Sequence, residues 1–481
     1  MFSLLAVKLL PSYSCPAMKL TAQDICQATG GTLINGRPET LFTAVSIDSR
    51  AVPSGALFVP LPGTRTDGHA FLTAAVQQGA SGFFFAESAN PELPDAAAAI
   101  RVRDPLTALQ HLATWYRNRL QARIIGIAGS NGKTTTKELM AQVFASQQKT
   151  WATQGNLNNH IGLPLTILRA DDDVKALVLE LGTSSPGELT TLCDIAHPEI
   201  GMITSIAEEH TETLKDLAGV IAAETELIAA LPADGLAIVN GDHDGLLKAV
   251  RRQAQCRVVT FGERVANQFR ISNLHVTRQG THFTLATPTG TPTVKLKLLG
   301  SHFALAAAAA VAAAATCGIS LVDACSALNV AKGAARRMAV VEVPTRRLTV
   351  LDDCYNANPA SMQQALLTVQ HVRTTGERVI LVLGDMLELG TLSQVRHQEM
   401  GTMVTALSPR PDLVIAVGED AKLIAAAIEK TPVPVRWFAT SDPAATFVHE
   451  TITSFHGPQL LLVKGSRGIR LEEVTKRVTD S

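Results

Sequence analysis

The chain has 481 residues, which at about 150 residues a domain suggests three domains. Its 42 basic and 43 acidic residues leave a net charge of -1, so we expect no electrostatically driven binding to nucleic acid or to a membrane surface. The longest apolar run, at 303–315, is shorter than the roughly 20 residues of a membrane helix. It predicts a buried helix and no membrane insertion.

The cysteines and the N-terminus indicate the compartment. The seven cysteines form no CxxC pair and no Cys/His cluster, which is typical of free thiols in a reducing cytoplasm. In residues 1–17 the basic residue lies inside the apolar stretch rather than ahead of it, unlike in a signal peptide. We therefore expect a disordered extension before Met18.

The first two thirds of the chain predict two successive α/β segments. Up to residue 103 the elements are short: strands at 56–60 and 81–86 on either side of a helix at 69–78. A helix at 105–120 then leads into a series of apolar strands separated by helices, predicted at 122–128, 176–181, 200–206, 236–240 and 257–261. This alternation predicts a mostly parallel sheet. Three β-patterned stretches, at 269–276, 282–286 and 293–298, predict an antiparallel appendage.

A second alternating series follows Arg337, with strands predicted at 348–352, 379–383, 413–417, 435–438 and 460–463. It indicates an independent doubly wound domain. The expected protein is thus α/β with three domains: a small N-terminal α/β domain at 18–104, a central domain with a mostly parallel sheet at 105–336, and a Rossmann-like doubly wound domain at 337–481.

The sharpest local signal is the strand-to-helix sequence IIGIAGSNGKTTT at 124–136. Its glycines allow backbone N–H groups to face a phosphate, Lys133 adds a point charge, and Thr134 offers a hydroxyl to magnesium. The helix, expected from about Glu138, adds the positive end of its dipole. Because Ile127 replaces the first glycine of GxxxxGK[ST], a tightly packed turn is the alternative. We predict a P-loop-type nucleotide site formed by Gly129, Ser130, Asn131, Gly132, Lys133, Thr134 and Thr135.

Two further strands are predicted to end at the same sheet edge with polar side chains. Glu180 ends the strand at 176–181, where a carboxylate can meet a metal ion held by phosphates. His210 follows the strand at 200–206, and its arrival at this edge favours a metal or phosphate role. A solvated strand-end Glu and a surface His are the alternatives.

These segments, together with GNLNNHIGLP at 155–164, resemble the central domain of the Mur ligases. Asp48-Ser-Arg50 and the segment at 63–71 match the uridine-nucleotide domain of that family. The motifs at 353–362, 383–390 and 464–468 resemble the branch that joins D-alanyl-D-alanine to UDP-N-acetylmuramoyl-tripeptide. The resemblance spans about residues 20–477 and includes motifs in all three domains.

The resemblance implies an ATP-dependent, magnesium-dependent amide ligase of peptidoglycan synthesis, a cytoplasmic monomer that acts through an acyl phosphate. Thr134 and Glu180 would hold one magnesium ion, and Glu180 and His210 would lie near a second. The remaining expected nucleotide contacts are His302, Arg337 and Asp353. The expected contacts to the uridine nucleotide and the peptides are Ser49, Arg50, Asp67, His69, Asn156, Asn158, Asn159, Asn356, Asn358, Lys464, Ser466 and Arg467.

For most of these substrate contacts a plainer interpretation remains open. Asp-Gly pairs and loop asparagines are common in turns, and a basic loop at a strand end is often merely solvated.

One position departs from the family pattern. The Mur ligases usually carry a carbamoylated lysine on the helix after the histidine strand, in a Lys-x-Glu context. Here Glu224 stands at that position, followed by Thr225 and Glu226. A carboxylate can supply the charge of a carbamate but not its reach. We expect Glu224, with or without Glu226, to replace the carbamate at the catalytic site as a metal-binding or structural anion; two solvated glutamates are the alternative.

Two other functions remain open from the sequence. One is a Mur-type ligase that adds a different amino acid. The other is a catalytically silent protein that binds a nucleotide sugar, which the missing lysine would suit. Retention of Lys133, Thr134, Glu180 and His210 argues against silence.

Overall fold

The computed structural model describes residues 18–63 and 66–480, so the predicted extension at 1–17 lies outside the described residues. The N-terminal domain is built on a five-stranded sheet in the order β2-β7-β6-β5-β4, beside a two-stranded β1-β3 pair. Its strands are β1 (Leu20–Thr21), β2 (Thr32–Asn35), β3 (Leu41–Phe42), β4 (Ala44–Ser46), β5 (Ala56–Phe58), β6 (Ala80–Ala86) and β7 (Ala98–Val102). The helices are α1 (Ala22–Thr29), α2 (Leu72–Gln77) and α3 (Pro105–Arg119).

Helix α3 joins the first two domains. Asp104 caps its N-terminus by accepting the Thr107 N–H, and Pro105 occupies the first turn, where no amide proton is needed. The helix packs against α1 on one side and against two helices of the central domain on the other. The expected boundary after residue 104 therefore lies at the start of a helix that both domains share.

The central domain contains a nine-stranded sheet in the order β16-β15-β14-β13-β12-β11-β8-β10-β9. Its strands are β8 (Arg123–Ala128), β9 (Thr150–Ala152), β10 (Ala176–Glu180), β11 (Ile200–Ile203), β12 (Leu236–Asn240), β13 (Arg257–Gly262), β14 (Phe269–Thr277), β15 (Gly280–Ala286) and β16 (Thr293–Leu296). The helices are α4 (Lys133–Ala145), α5 (Gly162–Ile167), α6 (Glu188–Ala196), α7 (Thr211–Leu214), α8 (Leu217–Ala229), α9 (Asp244–Gln253), α10 (Ser301–Thr316) and α11 (Leu321–Asn329). Strands β8 to β13 pair in parallel, as the alternating pattern predicts.

Two details of this domain differ from the sequence-based expectation. The three antiparallel strands are no separate appendage, because β14 pairs in parallel with β13 and so continues the main sheet. The helix after the phosphate loop begins at Lys133 rather than near Glu138. Thr134, Thr135 and Thr136 are buried there, so tertiary packing overrides the weak helix propensity of threonine.

The C-terminal domain has a six-stranded sheet in the order β17-β18-β22-β19-β20-β21, in which only the edge strand β17 runs antiparallel. The strands are β17 (Ala339–Val343), β18 (Leu348–Asp353), β19 (Arg378–Gly384), β20 (Leu413–Val417), β21 (Val435–Phe438) and β22 (Gln459–Lys464). The helices are α12 (Pro359–Val372), α13 (Ser393–Ala406), α14 (Lys422–Ile428), α15 (Ser441–Thr453) and α16 (Glu472–Thr479). The doubly wound prediction is confirmed.

Apolar packing connects the central and C-terminal domains. One contiguous cluster of buried side chains runs from Ile125 in β8 to Leu462 in β22. The alanine-rich helix α10 is buried as expected, and its small side chains allow close packing against α4. None of the helices within 18–63 and 66–480 is long and apolar enough to cross a membrane.

An ion pair also connects the central and C-terminal domains. Arg278, in the turn between β14 and β15, donates to Glu377 at 2.6 Å and to Thr349 at 2.9 Å in the C-terminal domain. The Glu377 side chain is only 2 % exposed, so its carboxylate depends on Arg278 and on the Thr374 N–H, at 3.0 Å, rather than on water.

We predict that Arg278→Ala destabilises the protein by about 2 kcal/mol, because it leaves a buried carboxylate without its cation. The measurement is the midpoint of denaturant unfolding, followed by fluorescence. Arg264→Ala serves as the control, since Arg264 pairs with Asp244 on the surface of the central domain. Equal midpoints for the two variants would contradict the prediction.

Candidate active site

The order of the central sheet brings the predicted site residues together. Strand β8 lies between β10 and β11, and all three run parallel. Their carboxyl ends therefore share one edge of the sheet, where ligands bind in open α/β sheets. The phosphate loop (129–135) follows β8, Glu180 ends β10, and the segment that leads to His210 follows β11.

The phosphate loop requires glycine at its first position. Gly129 has φ +120°, and a Cβ there would lie 2.4 Å from the Thr204 hydroxyl oxygen and 2.9 Å from its backbone nitrogen. Gly132 has φ +84° and directly precedes the first helical residue, Lys133. The loop thus turns tightly against the residues after β11 and presents the N-terminus of α4, a suitable place for an anion.

Hydrogen bonds hold the loop against the chain that follows β11. The Asn131 N–H donates to the Ser205 hydroxyl at 2.9 Å, and the Thr204 hydroxyl donates to the Asn131 carbonyl at 2.7 Å. The Ser130 hydroxyl donates to the Ala207 carbonyl at 3.1 Å and accepts the Ala207 N–H at 2.9 Å. The shape of the loop therefore depends on residues 73 to 77 positions further along the chain.

Lys133 is the half-buried cation of the site. Its Nζ donates to the Gly129 carbonyl at 2.5 Å, so the side chain folds back over the loop. Burial alone would lower the pKa of Lys133, but the charges of Glu209, Glu224 and Glu180 outweigh it and raise the pKa. Lys133 is thus held charged by carboxylates around it.

Glu224 lies inside this cluster. Its side chain reaches the phosphate loop from α8 and accepts the Gly129 N–H at 2.6 Å, with only 1 % of the residue exposed. Burial raises the pKa of Glu224 to about 7, although the charge of Lys133 opposes the shift. The alternative of a solvated helix residue is wrong for Glu224.

Glu226 is not part of the cluster. Its carboxylate accepts the N–H groups of Gly187 and Thr190 at 2.7 and 3.0 Å, and so caps the N-terminus of α6. The expectation that Glu226 could share the role of Glu224 is therefore corrected. Glu226 lies two residues after Glu224 on α8, and side chains two residues apart on a helix point in different directions.

Glu180 has one oxygen in use and one without a partner. Its Oε1 accepts a hydrogen bond from the Asn158 side chain at 2.8 Å. Its Oε2 is buried and has no hydrogen-bond partner among the residues that the structure describes. A buried carboxylate oxygen in this state is suited to a divalent cation.

The set of oxygens at this place fits magnesium. The Thr134 hydroxyl belongs to the first turn of α4, and Mg²⁺ is commonly held by one or two protein oxygens together with substrate phosphates. Within 18–63 and 66–480 no group of three His, Cys, Asp or Glu side chains is arranged to hold a metal ion by itself. A cation here would share its ligands with the nucleotide.

His210 meets the C-terminal domain. Its Nδ1 lies 2.7 Å from a carboxylate oxygen of Glu388, and this contact is the main cause of its raised pKa. Both residues have left-handed backbones, with φ of 50° for His210 and 65° for Glu388. Such conformations are unfavourable for these residue types and cluster at functional sites. Nδ1 is thus the ring nitrogen that Glu388 engages.

Two side chains of the C-terminal domain, Arg337 and Asn358, contact the phosphate loop. Arg337 donates to the Thr134 hydroxyl at 2.9 Å, and Asn358 donates from its side chain to the Asn131 side chain at 2.8 Å. The guanidinium groups of Arg337 and Arg467 lie 4.1 and 5.5 Å from the centre of the Tyr355 ring. Arg467, in the loop after β22, is exposed to solvent.

Lys464 and Ser466 have structural partners instead. Lys464 is buried and donates to Asp353 at 2.7 Å and to the Asn356 carbonyl at 3.2 Å. The Ser466 hydroxyl accepts the Leu387 N–H at 3.0 Å. The expectation that both contact substrate carboxylates is therefore corrected for this arrangement, because their polar atoms are engaged within the domain.

The predicted nucleotide residues His302 and Asp353 lie near each other. Burial lowers the pKa of His302 to about 4, and the nearby Asp353 carboxylate only partly offsets this. His302 is therefore neutral at pH 7. Its Nδ1 is buried with no hydrogen-bond partner in the described part of the chain, so it remains open to a ligand.

In the N-terminal domain the expected uridine-site residues form two separate local turns, at 48–50 and 67–69. Arg50 makes two hydrogen bonds of 2.8 Å to Asp48 while most of its side chain stays exposed, and Ser49 lies between them. Asp67 accepts the His69 N–H at 3.0 Å and contacts its ring nitrogen at 2.6 Å. Turn chemistry accounts for these contacts, and the uridine role stays a prediction.

The three asparagines in the loop after β9 have different environments. Asn158 contacts Glu180, as described above. Asn159 accepts the N–H groups of Ile161 and Gly162 at 3.2 and 2.8 Å and so shapes the start of α5. Asn156 is exposed, as is Asn356 in the C-terminal domain. The structure thus brings one of these asparagines, Asn158, into contact with the metal-binding candidate.

Sequence reasoning missed several residues of the site. Among the carboxylates that raise the pKa of Lys133, Glu209 has the largest effect. Burial raises the pKa of Glu209 itself. Thr204 and Ser205 support the phosphate loop, while Glu388 and Arg396 of the C-terminal domain contact His210 and Glu208 in the segment after β11. The adjacent Glu208-Glu209 pair before His210 was the available signal, since it follows a predicted strand at the same sheet edge.

A phosphate loop with a lysine, a hydroxyl and a carboxylate that has one unpartnered oxygen is typical of a nucleotide-dependent enzyme. Comparison with known families gives the class. Residues 41–117 match "Mur ligase family, catalytic domain", residues 127–314 match "Mur ligase middle domain", and residues 336–467 match "Mur ligase, glutamate ligase domain". The chain belongs to the Mur ligase family, and it is a ligase.

Individual relatives are similar to this chain over nearly its whole length. The "UDP-N-acetylmuramoyl-tripeptide--D-alanyl-D-alanine ligase" of Bacillus subtilis is 35 % identical over 96 % of this chain and 99 % of its own. A solved structure of MurF from Acinetobacter baumannii has a TM-score of 0.86 at 30 % identity, covering 97 % of this chain and 100 % of that one. MurF ligase from Thermotoga maritima in complex with ADP has a TM-score of 0.80 at 25 % identity, covering 91 % and 97 %.

We predict that Gly129→Ala weakens binding of a non-hydrolysable ATP analogue by at least about tenfold, because the new Cβ meets the backbone of Thr204 and the left-handed φ is strained. Isothermal titration calorimetry measures the affinity. Gly318→Ala is the control, with φ +85° but nothing within 4 Å of the added carbon. Unchanged binding in a folded Gly129→Ala protein would contradict the prediction.

We predict a pH-dependent stability change for Glu224→Gln in the absence of nucleotide. The folded protein holds the proton on Glu224 up to about pH 7, whereas an unfolded chain releases it near pH 4.3. The wild type therefore loses stability as the pH rises through this window, and the variant does not.

Thermal unfolding at pH 5 and pH 8 tests this prediction. The stability of the variant relative to the wild type should be higher at pH 8 than at pH 5 by a few degrees. Glu226→Gln is the matched control on the same helix. A difference that is the same at both pH values would show that Glu224 does not titrate as stated.

Proposed function

We propose that this protein is the ATP-dependent ligase that joins D-alanyl-D-alanine to UDP-N-acetylmuramoyl-tripeptide, giving the pentapeptide precursor of peptidoglycan. The observation that carries the proposal is the meeting of two domains at one phosphate loop. Lys133 and Glu180 come from the central domain, and Arg337 and Asn358 reach the same loop from the C-terminal domain. The printed names of the full-length relatives supply the substrates.

The reaction needs an activated acid. A carboxylate is a poor electrophile, and transfer of the γ-phosphoryl group of ATP onto the tripeptide carboxylate makes an acyl phosphate with a good leaving group. The amine of the dipeptide then attacks the acyl carbon, and the tetrahedral intermediate expels phosphate to leave the amide. Both steps bring anions together, so the site must neutralise charge.

Lys133 and the loop amides supply fixed positive charge. The raised pKa of Lys133 keeps its ammonium group protonated, and the N-terminus of α4 presents its N–H groups to the same position. Arg337 contacts the Thr134 hydroxyl and so lies where a nucleotide phosphate would approach. Magnesium, when bound through Thr134 and the free oxygen of Glu180, would neutralise further charge on the triphosphate.

Glu224 holds the loop and, in its ionised form, balances part of this positive charge. Its carboxylate anchors the Gly129 N–H and is one of the three carboxylates that raise the pKa of Lys133. A carbamoylated lysine would bring an anion to this helix through a longer stem; the buried Glu224 reaches the loop directly. We therefore assign Glu224 to positioning the loop and Lys133.

Glu388 orients His210 from across the domain interface. A histidine that donates one ring N–H to a carboxylate has its tautomer and ring orientation determined, which leaves the other nitrogen as a ligand or hydrogen-bond acceptor. His210 would then face the second magnesium ion through Nε2. The contact forms only when the C-terminal domain is docked.

The remaining assignments follow the layout of the domains. Ser49, Arg50, Asp67 and His69 would hold the uridine nucleotide, and Asn156, Asn158 and Asn159 would lie near the reacting carboxylate. In the cleft, Asn356 and the exposed Arg467 are available to peptide groups. Docking of the domains would exclude water, which otherwise hydrolyses the acyl phosphate. We propose that the enzyme works as a monomer in the cytoplasm.

The test is product analysis with the purified protein. ATP, UDP-N-acetylmuramoyl-tripeptide and D-alanyl-D-alanine should yield a product whose mass equals both peptides joined with loss of water. Release of phosphate should require both peptides. Lys133→Ala should reduce the rate by at least about a hundredfold, and Glu224→Gln should reduce it without loss of folding.

Other outcomes are equally clear. Product formation with a single amino acid in place of the dipeptide would identify a different ligase of the family. Binding of the nucleotide sugar with no phosphate release would identify a silent binding protein. Either result would overturn the proposal.

A further inference from the structure

The chain segment at 204–211, here called the bridging segment, contacts two parts of the molecule at once. Its first half holds the phosphate loop through Thr204, Ser205 and Ala207, as described above. Its second half contacts the C-terminal domain through Glu208, His210 and Thr211. A change in the position of the C-terminal domain must therefore act on the segment that shapes the nucleotide site.

The strongest of these outer contacts is between Glu208 and Arg396 of α13. The Arg396 Nε and Nη2 atoms donate to the two carboxylate oxygens of Glu208, each at 2.8 Å. Both side chains are 28 % exposed, so the pair is half-buried between the domains. Two parallel hydrogen bonds between a guanidinium and a carboxylate determine the relative orientation of the two groups as well as the distance between them. A single contact from a lysine ammonium group does not determine the orientation.

The packing beside this pair is incomplete. A cavity of about 330 Å³ is lined on the central side by Ile206 and Leu217 and on the C-terminal side by Met400 and Met403. Because the apolar surfaces do not close fully here, polar contacts hold this corner of the interface. Glu208 and Arg396 both lie at the rim of the cavity.

The remaining contact of Arg396 is within its own helix. Its Nη1 donates to Glu399 at 2.7 Å, one turn further along α13. If Glu208 is neutralised, Arg396 therefore keeps a carboxylate partner and is not left as an isolated charge. The interaction between the domains can then be removed with little expected effect on the folding of either domain.

We propose that Arg396 is a positioning residue: its ion pair with Glu208 stabilises the docked arrangement of the C-terminal domain. Through this ion pair, docking of the domain is coupled to nucleotide binding. The inference rests on the proposed function, since docking matters for a reaction that uses groups from both domains. A ligand that binds the docked state binds more weakly when that state is less populated. Weakening the Glu208–Arg396 pair should therefore weaken nucleotide binding although neither residue is placed on the nucleotide.

The test compares Glu208→Gln, Arg396→Gln and the double variant with the wild type. Calorimetry measures the affinity for a non-hydrolysable ATP analogue, and small-angle X-ray scattering measures the radius of gyration with the analogue bound. Steady-state ligation gives kcat. Arg264→Gln is the matched control, because it removes an arginine–aspartate pair within the central domain. Thermal unfolding verifies that each variant is folded.

Each single variant should bind the analogue about three- to tenfold more weakly, show a larger radius of gyration and have a lower kcat. The double variant should be no worse than either single one, since all three remove the same interaction. Arg396→Lys, which keeps the charge without the two parallel hydrogen bonds, should fall between Arg396→Gln and the wild type. Arg264→Gln should match the wild type.

Single variants that bind the analogue within about twofold of the wild type, with an unchanged radius of gyration, would overturn the proposal. Effects that multiply in the double variant would also overturn it, because they would show that the two residues act separately. Analogue binding and scattering need no product. A wild-type protein that makes no product would contradict the proposed function and leave the positioning test intact.

Discussion

The balance of charge around Lys133 is the constraint on which the rest of the site depends. One half-buried ammonium group lies among Glu180, Glu209 and Glu224, and the carboxylates outnumber it. Such a cluster is stable only if its anions have partners, and a cation near Glu180 together with the loop N–H group on Glu224 would provide them. The same excess of carboxylates would suit a triphosphate that binds together with a divalent cation, as proposed above.

The interface between the central and C-terminal domains has two physically different parts. Apolar packing and the Arg278–Glu377 pair form one part of the interface. On the loop side the contacts are polar: Arg337 to Thr134, Glu388 to His210 and Arg396 to Glu208. Polar contacts beside a cavity are easier to break and remake than a packed core, which suits the side that must admit substrates.

Several residues of the family motifs serve the site indirectly. Lys464 and Ser466 tie the loops of the C-terminal domain together, and Asn358 caps α12 while contacting the phosphate loop. Asp67 and His69 likewise shape a turn of the N-terminal domain. A motif residue can therefore matter to function by placing the backbone of a binding loop, with its own polar atoms already engaged in the protein.

By itself the sequence determined the three α/β domains, most strands of the two larger sheets and the phosphate loop, because alternating apolar strands and a glycine-rich strand-to-helix turn are local signals. It also singled out Glu224. Only the tertiary structure decided that Glu224 contacts Gly129 while Glu226 caps another helix, that Lys464 is buried, and that Glu208, Glu388 and Arg396 join the domains. These contacts connect residues tens to hundreds of positions apart, and no local pattern specifies which charged side chains will meet.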